Sequence, residues 1–195
     1  MAEKGLLLLD VDGVLNPYAA KPTARPRGYR TYRYTADRQW FAGPNARRHP
    51  GLRIWLHPAH GAQLRRLAAE ADLALAWATT WLHDANAYVG PAIGLPAIPV
   101  IEFPPADLAP DDSGWSSWTP TGGWKWPAVT AYAAGRPLAW LDDEHDESGF
   151  PEARAEFDRA RRGVPTLLCH VDPRKGLLPQ HLRQVADWAA TDLTR

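Results

Sequence analysis

The sequence has almost no sulfur: one cysteine, Cys169, and one methionine in 195 residues. A lone thiol excludes an internal disulfide and a cysteine-based metal cluster. Net charge is missing as well, with 22 Lys and Arg against 22 Asp and Glu. The bulk balance therefore selects no particular partner. No apolar run reaches the roughly 20 residues of a membrane span. The opening stretch GLLLLDVDGVL is short and interrupted by acids, which makes it a poor signal peptide. Together these absences read as a soluble, cytoplasmic protein with no membrane association.

What is present is enough for one domain spanning 1–195: 45% hydrophobic residues for a core, with 15 Gly and 19 Pro for turns. Charge is segregated along the chain. Between Lys21 and Arg66 there are eleven bases and one acid, Asp37, whereas Glu102 to Asp158 holds twelve acids and three bases. Two readings fit. The halves neutralise each other across the fold, or a basic lip for an anionic substrate faces an acidic site for a cation.

Apolar runs without alternation predict buried parallel strands at 5–10, 73–78, 97–103, 137–141 and 165–171. Helical spacing and end signals predict helices at 59–71, 84–94 (ended by Gly90-Pro91), 125–135, 152–163 and 178–193. Strands alternating with helices predict an α/β fold, an open and mainly parallel sheet of about five strands covered on both faces. Residues 16–52, rich in Pro, Gly and Arg, form an insert after the first strand. Within it YRTYRY alternates aromatic and basic residues, as an exposed hairpin does, and RIWLH at 53–57 is another short strand. Trp77, Trp140 and Cys169 fall inside predicted strands and are expected in the core.

Ligands of such sheets bind beyond the carboxyl ends of the strands. Asp10 and Asp12 follow the first strand, Thr79 and Thr80 the second, Asp142 and Asp143 the fourth, and Lys125 opens the helix before the fourth. Singly, each has a common structural role as a helix cap or a solvated side chain. Jointly they meet a chemical requirement. Four carboxylates at one sheet edge cannot all stay ionised without a cation. Mg²⁺ takes oxygen ligands and shares itself with a phosphate. A carboxylate beside it can attack phosphorus to form an aspartyl-phosphate. A second acid two residues on points the same way, placed to protonate the leaving oxygen and then activate water. A hydroxyl and an ammonium would hold the transferring oxygens.

These residues also carry a family resemblance. DVDGVL resembles the first motif of the haloacid dehalogenase-like (HAD) superfamily, Asp-x-Asp-x-Thr/Val-Leu/Val. AWATT is similar to its second motif, Lys125 to its third and LAWLDD to its fourth, in order over nearly the whole chain. The pattern LAWATTW, WKWPAV, LAWLDDE, TLLCHVDPRKGL also resembles bacterial HAD-domain proteins similar to the HAD modules of RNA-repair proteins. The resemblance implies a Rossmann-like three-layer sandwich that binds Mg²⁺ and hydrolyses phosphate esters. It implies Asp10 as nucleophile and metal ligand, and Asp12 as acid/base with its carbonyl on the metal. Thr79 (or Thr80) and Lys125 would hold the phosphoryl group, and Asp142 and Asp143 the metal. An acid at position 12 favours phosphatase over dehalogenase chemistry. In this superfamily the segment after the first motif folds over the site as a flap, so 16–52 is expected to be a flap or small cap.

That flap is the basic segment. Its arginines, Arg30 and Arg33 foremost, suit phosphate contacts, and Tyr29, Tyr32, Tyr34 and Trp40 can stack on a base. The expected partner is a phosphorylated small molecule or a nucleic-acid end; the alternative is a solvated hairpin paired to the acidic half. Trp115, Trp118, Trp124 and Trp126 around Lys125 read as loop anchors before they read as a lid. The histidines show no metal-ligand spacing, and His145, beside the acids, reads as solvent-exposed. A rival from another class is a non-catalytic HAD-like module that binds phosphorylated nucleic acid or protein partners.

Overall fold

The computed structural model of the protein describes residues 3–103, 125–145 and 151–193. Along them β1 (Gly5–Leu9) leads into the insert, which carries β2 (Arg30–Tyr34), β3 (Trp40–Phe41) and β4 (Leu52–Leu56). Then come α1 (His60–Glu70), β5 (Leu73–Trp77), α2 (Gly90–Ile93), α3 (Lys125–Ala133), β6 (Leu138–Asp142), α4 (Pro151–Ala160), β7 (Thr166–His170) and α5 (Pro179–Asp192).

The leucine run is buried from both sides. Leu7 and Leu9 pack with Leu64 and Leu67 of α1 and with Val185 and Trp188 of α5. Leu6 and Leu8 pack with Trp126 and Val129 of α3 and with Phe157 of α4. The period of two along a strand sends alternate leucines to opposite layers, so both parities must be apolar. Trp77, Trp140 and Cys169 lie in these cores as expected. Trp126 joins the same core, edge-on to Trp140 at 4.9 Å, in keeping with an anchoring role. Trp115, Trp118 and Trp124 lie outside the described residues.

The main sheet is parallel, in the order β5-β1-β6-β7, which puts β1 and its aspartates in the middle. It has four strands among the described residues, one fewer than expected. The segment at 97–103 touches β5 only through a bridge between Trp77 and Val100, with bonds from Trp77 N–H to the Pro99 carbonyl (2.8 Å) and from Ile101 N–H to the Trp77 carbonyl (2.9 Å). Pro96 and Pro99 bring no N–H to a ladder, so apolar content alone does not extend the pairing. The segment at 84–94 also differs from expectation. A π-helical turn, Ala85–Val89, runs into α2, Pro91 lies in the first turn of α2 rather than beyond a helix end, and Gly94 at φ +77° terminates it.

The insert forms a second, antiparallel sheet in the order β3-β2-β4. β4 pairs with β2 along its whole length, from Arg30 opposite Leu56 to Tyr34 opposite Leu52, so the insert's sheet runs past residue 52. Its hairpin is only partly exposed, because Tyr32 is buried and Tyr34 half-buried. The tip is fastened to the segment after β5. Tyr34 donates its hydroxyl to Asp84 (2.5 Å), Arg38 pairs with Asp84, and Tyr88 donates to the Arg38 carbonyl (3.0 Å). Trp40 stacks on Tyr88 and Tyr34 packs against Trp81. No helix among the described residues is long and apolar enough to cross a membrane.

Candidate active site

β1 ends on Asp10, and the chain turns at once: Leu15 and Asn16 both donate backbone N–H groups to the Val11 carbonyl. Gly13 takes φ +77° in that turn, and a Cβ there would overlap the Asp143 carboxyl group. The glycine of DVDGVL is therefore what lets Asp143, at the end of β6, approach the end of β1. Because β1 and β6 are parallel neighbours in register, Asp10 and Asp142 come to the same edge without further help.

Lys125 delivers its ammonium from the start of α3 into that edge. Its Nζ donates to Asp10 Oδ2 (2.8 Å) and Asp142 Oδ2 (2.8 Å) and lies 3.1 Å from Glu144 Oε2. Asp10 and Lys125 are each only 4% exposed. Burial pushes the Asp10 carboxyl well above its usual range, Asp142 and Asp143 add to that, and Lys125 opposes it. Burial disfavours the charged Lys125, but Asp10, Asp142 and Glu144 outweigh it and hold the ammonium firmly protonated. Burial, reinforced by Asp142, lifts Asp143 to about 7. The crowded carboxyls thus hold protons more firmly than free ones, and a cation at this edge would compete for the same oxygens.

Ligand oxygens of Asp10, Asp142 and Asp143 lie within 4.8 Å of one another. Three hard oxygen donors so close, each gaining from a neighbouring positive charge, fit a divalent cation such as Mg²⁺. The Asp12 carboxylate stands outside this trio. Its Oδ1 accepts from Asn16 Nδ2 (2.7 Å) and its Oδ2 from the Trp81 indole N–H (2.8 Å). Burial raises its pKa and these two donors oppose the rise. Asn16 also accepts the Trp55 backbone N–H (3.0 Å), which ties the free edge of β4 to the turn after β1.

Asp10, Asp12, Lys125 and Asp143 open on one cavity of about 360 Å³, walled also by Asn16, Tyr18, Arg53, Ile54, Thr80 and Glu144. Of the two threonines, Thr80 lines this cavity; Thr79 is 0% exposed and accepts the Trp81 backbone N–H at 3.4 Å. Arg30 lines a different cavity with Arg25 and Arg47. Arg33 sits on β2 directly opposite Arg53 and donates to the Gly51 carbonyl (2.9 Å). His145 is buried rather than exposed. Its ring lies edge-on to Trp140 at 4.8 Å, and its Nε2 is 2.9 Å from the Trp140 carbonyl. A polar partner inside the core explains why it turns inward.

Sequence reasoning missed Asn16, Tyr18, Arg53, Trp81 and Glu144. Asn16 follows Asp12 by four residues in a tight turn, and Trp81 follows the Thr pair directly; those positions were the available signals. No curated protein matches the chain. A family model described as the HAD domain in Swiss Army Knife RNA repair proteins matches residues 6–182. With residues of all four motifs converging on one sheet edge, the chain belongs to this family of HAD domains.

Proposed function

We propose that the protein is a Mg²⁺-dependent phosphatase that works through an aspartyl-phosphate, on a nucleotide or nucleic-acid end. The family supports a phosphatase-like hydrolase. The observation that carries the finer reading is the opening of Asp10 and Asp12 on one cavity, the first paired with Lys125 and the second held apart from the metal trio. In this reading an Asp10 oxygen attacks phosphorus, and the ester oxygen leaves with a proton from Asp12. Asp12, now a carboxylate, takes a proton from water as that water attacks the aspartyl-phosphate, which frees phosphate and regenerates Asp10. Trp81 and Asn16 hold the Asp12 carboxyl in place through both half-reactions. Lys125 and Thr80 contact phosphoryl oxygens, Thr79 shaping the turn behind Thr80. A Mg²⁺ ion held by Asp10, Asp142 and Asp143, with the Asp12 carbonyl, would supply charge neutralisation for the incoming phosphate.

The test is hydrolysis of an aryl phosphate in the presence of Mg²⁺ and in chelator. Wild type should turn over only with the metal, and Asp10→Asn should lose turnover by at least about 10³-fold while keeping its circular dichroism spectrum. Full activity in Asp10→Asn would refute the aspartyl-phosphate. Absence of turnover on any phosphoester, with retained binding of a phosphorylated oligonucleotide, would instead favour the non-catalytic module.

A further inference from the structure

The large hydrophobic side chains exposed among the described residues are Tyr18, at 51%, and Leu52, at 48%. Both stand on the wall of the cavity that holds Asp10 and Asp12. Tyr18 comes from the loop after β1, with its hydroxyl donating to Asp143 Oδ2 (3.4 Å), and Leu52 from β4, so a ring and an aliphatic side chain flank the mouth from two separate segments. An exposed apolar pair at the mouth of a strongly charged cavity is ill-suited to a small, fully polar phosphoester. It suits a flat, unsaturated group attached to the phosphate.

Next to Leu52 stands a second feature. Arg53 lines the cavity and Arg33 faces it directly across the β2–β4 pair. Like charges in direct cross-strand register cost stability. The two guanidinium groups are nonetheless fixed there. Arg53 Nη2 donates to the carbonyls of Tyr18 (2.7 Å) and Ala20 (3.0 Å), with its guanidinium 4.0 Å over the Trp55 ring. Arg33 is held by the Gly51 carbonyl (2.9 Å). Arg53 thus brings a positive charge to the cavity wall beside Leu52, and Arg33, directly across the strand pair, reinforces it. Arg25, Arg30 and Arg47 surround a separate cavity of about 530 Å³ on the same insert, with Tyr29 and Tyr32 in its wall.

We propose that Arg53 and Arg33 form a second anion subsite beside the catalytic cavity and that Tyr18 and Leu52 clamp the base between the two anions. The substrate is then the phosphorylated end of a polynucleotide, whose next phosphodiester lies on the arginine pair, and not a mononucleotide. The inference rests on the phosphatase reading only for the place of the terminal phosphate. A nucleoside bisphosphate offers a similar second anion, and the experiment sets the two against each other.

The experiment compares kcat/KM for 5′- and 3′-phosphorylated dinucleotides, a nucleoside bisphosphate and nucleoside monophosphates. Wild type should prefer one dinucleotide over its mononucleotide by about tenfold or more, the worth of one charge-assisted hydrogen bond. Arg33→Gln and Arg53→Lys should reduce that ratio, chiefly through KM. Tyr18→Ala, at an exposed position that leaves folding unthreatened, should reduce it too. No preference in wild type, or an undiminished ratio in all three variants, overturns the proposal. Equal preference for the bisphosphate overturns the polynucleotide assignment. If wild type hydrolyses nothing, the phosphatase reading fails on its own, and calorimetric Kd values for the same compounds decide the subsite. Tighter dinucleotide binding that Arg33→Gln abolishes then upholds it, and equal binding of mono- and dinucleotide overturns it.

Discussion

Among single residues, Gly13 matters for what it does not carry. A methyl group there would strike the Asp143 carboxyl and would have to adopt φ +77°. Gly13→Ala is expected to weaken Mg²⁺ binding by about tenfold or more, read by titration calorimetry, because it displaces a ligand. His60 offers a test remote from the metal. Burial and the neighbouring His57 depress its pKa from 6.5 to about 4, and its Nδ1 has no hydrogen-bond partner among the described residues. Between those values the unfolded chain binds a proton there and the folded one does not, so stability rises with pH from about 4 to 6.5 and is lost as pH falls. The full span is worth about 3 kcal/mol. Urea unfolding across that window should show His60→Phe with a flatter acid limb than wild type. The motif aspartates and Lys125 were legible because their chemistry depends on residue type and chain position. Arg53 and Trp81 were not, because their value comes from partners far away in sequence, Arg33 across a strand pair and Asp12 across the site.

At the scale of elements, the buried strands were readable wherever the apolar run met no obstacle. β1, β5, β6 and β7 each pair in parallel along their length. The expected fifth strand failed on Pro96 and Pro99, whose missing donors outweigh the apolar side chains around them. The pairing of β4 with β2 was hidden for a different reason: antiparallel register across an irregular stretch depends on turn geometry that composition does not encode. The insert also makes an element-level prediction. Asp84 receives both Tyr34 and Arg38, so Asp84→Ala removes the fastening of the β2–β3 hairpin. Backbone amides of β2 and β3 should exchange faster with deuterium, with a stability loss of about 1–2 kcal/mol from the half-buried tyrosine bond. The exposed Arg38 side of the pair adds little to that sum. Unchanged exchange in both strands would mean that aromatic packing alone holds the hairpin.

For the whole molecule, a cation held by Asp10, Asp142 and Asp143 would couple its binding to folding. Asp143 is raised to about 7, so in the absence of metal its contribution to stability is fully present below about 3.8 and is lost as pH climbs towards 7. A divalent ion reverses the sign by favouring the ionised form. Mg²⁺ should therefore raise Tm more at pH 8 than at pH 5, where protons compete for the same oxygens, and thermal denaturation with and without chelator measures the difference. Equal increments at both pH values would separate Asp143 from the metal. The place of β1 in the sheet has a consequence for biosynthesis. Within this domain the central strand is made before its partners, β5 and β6, with Gly5 waiting for Leu73 and Leu6 for Leu138. Until β6 emerges, the leucine run has one open edge. Asp10 has no Asp142 beside it before then. The acidic edge therefore assembles only once β6 has been made, and until then the leucine run is open to pairing with other chains.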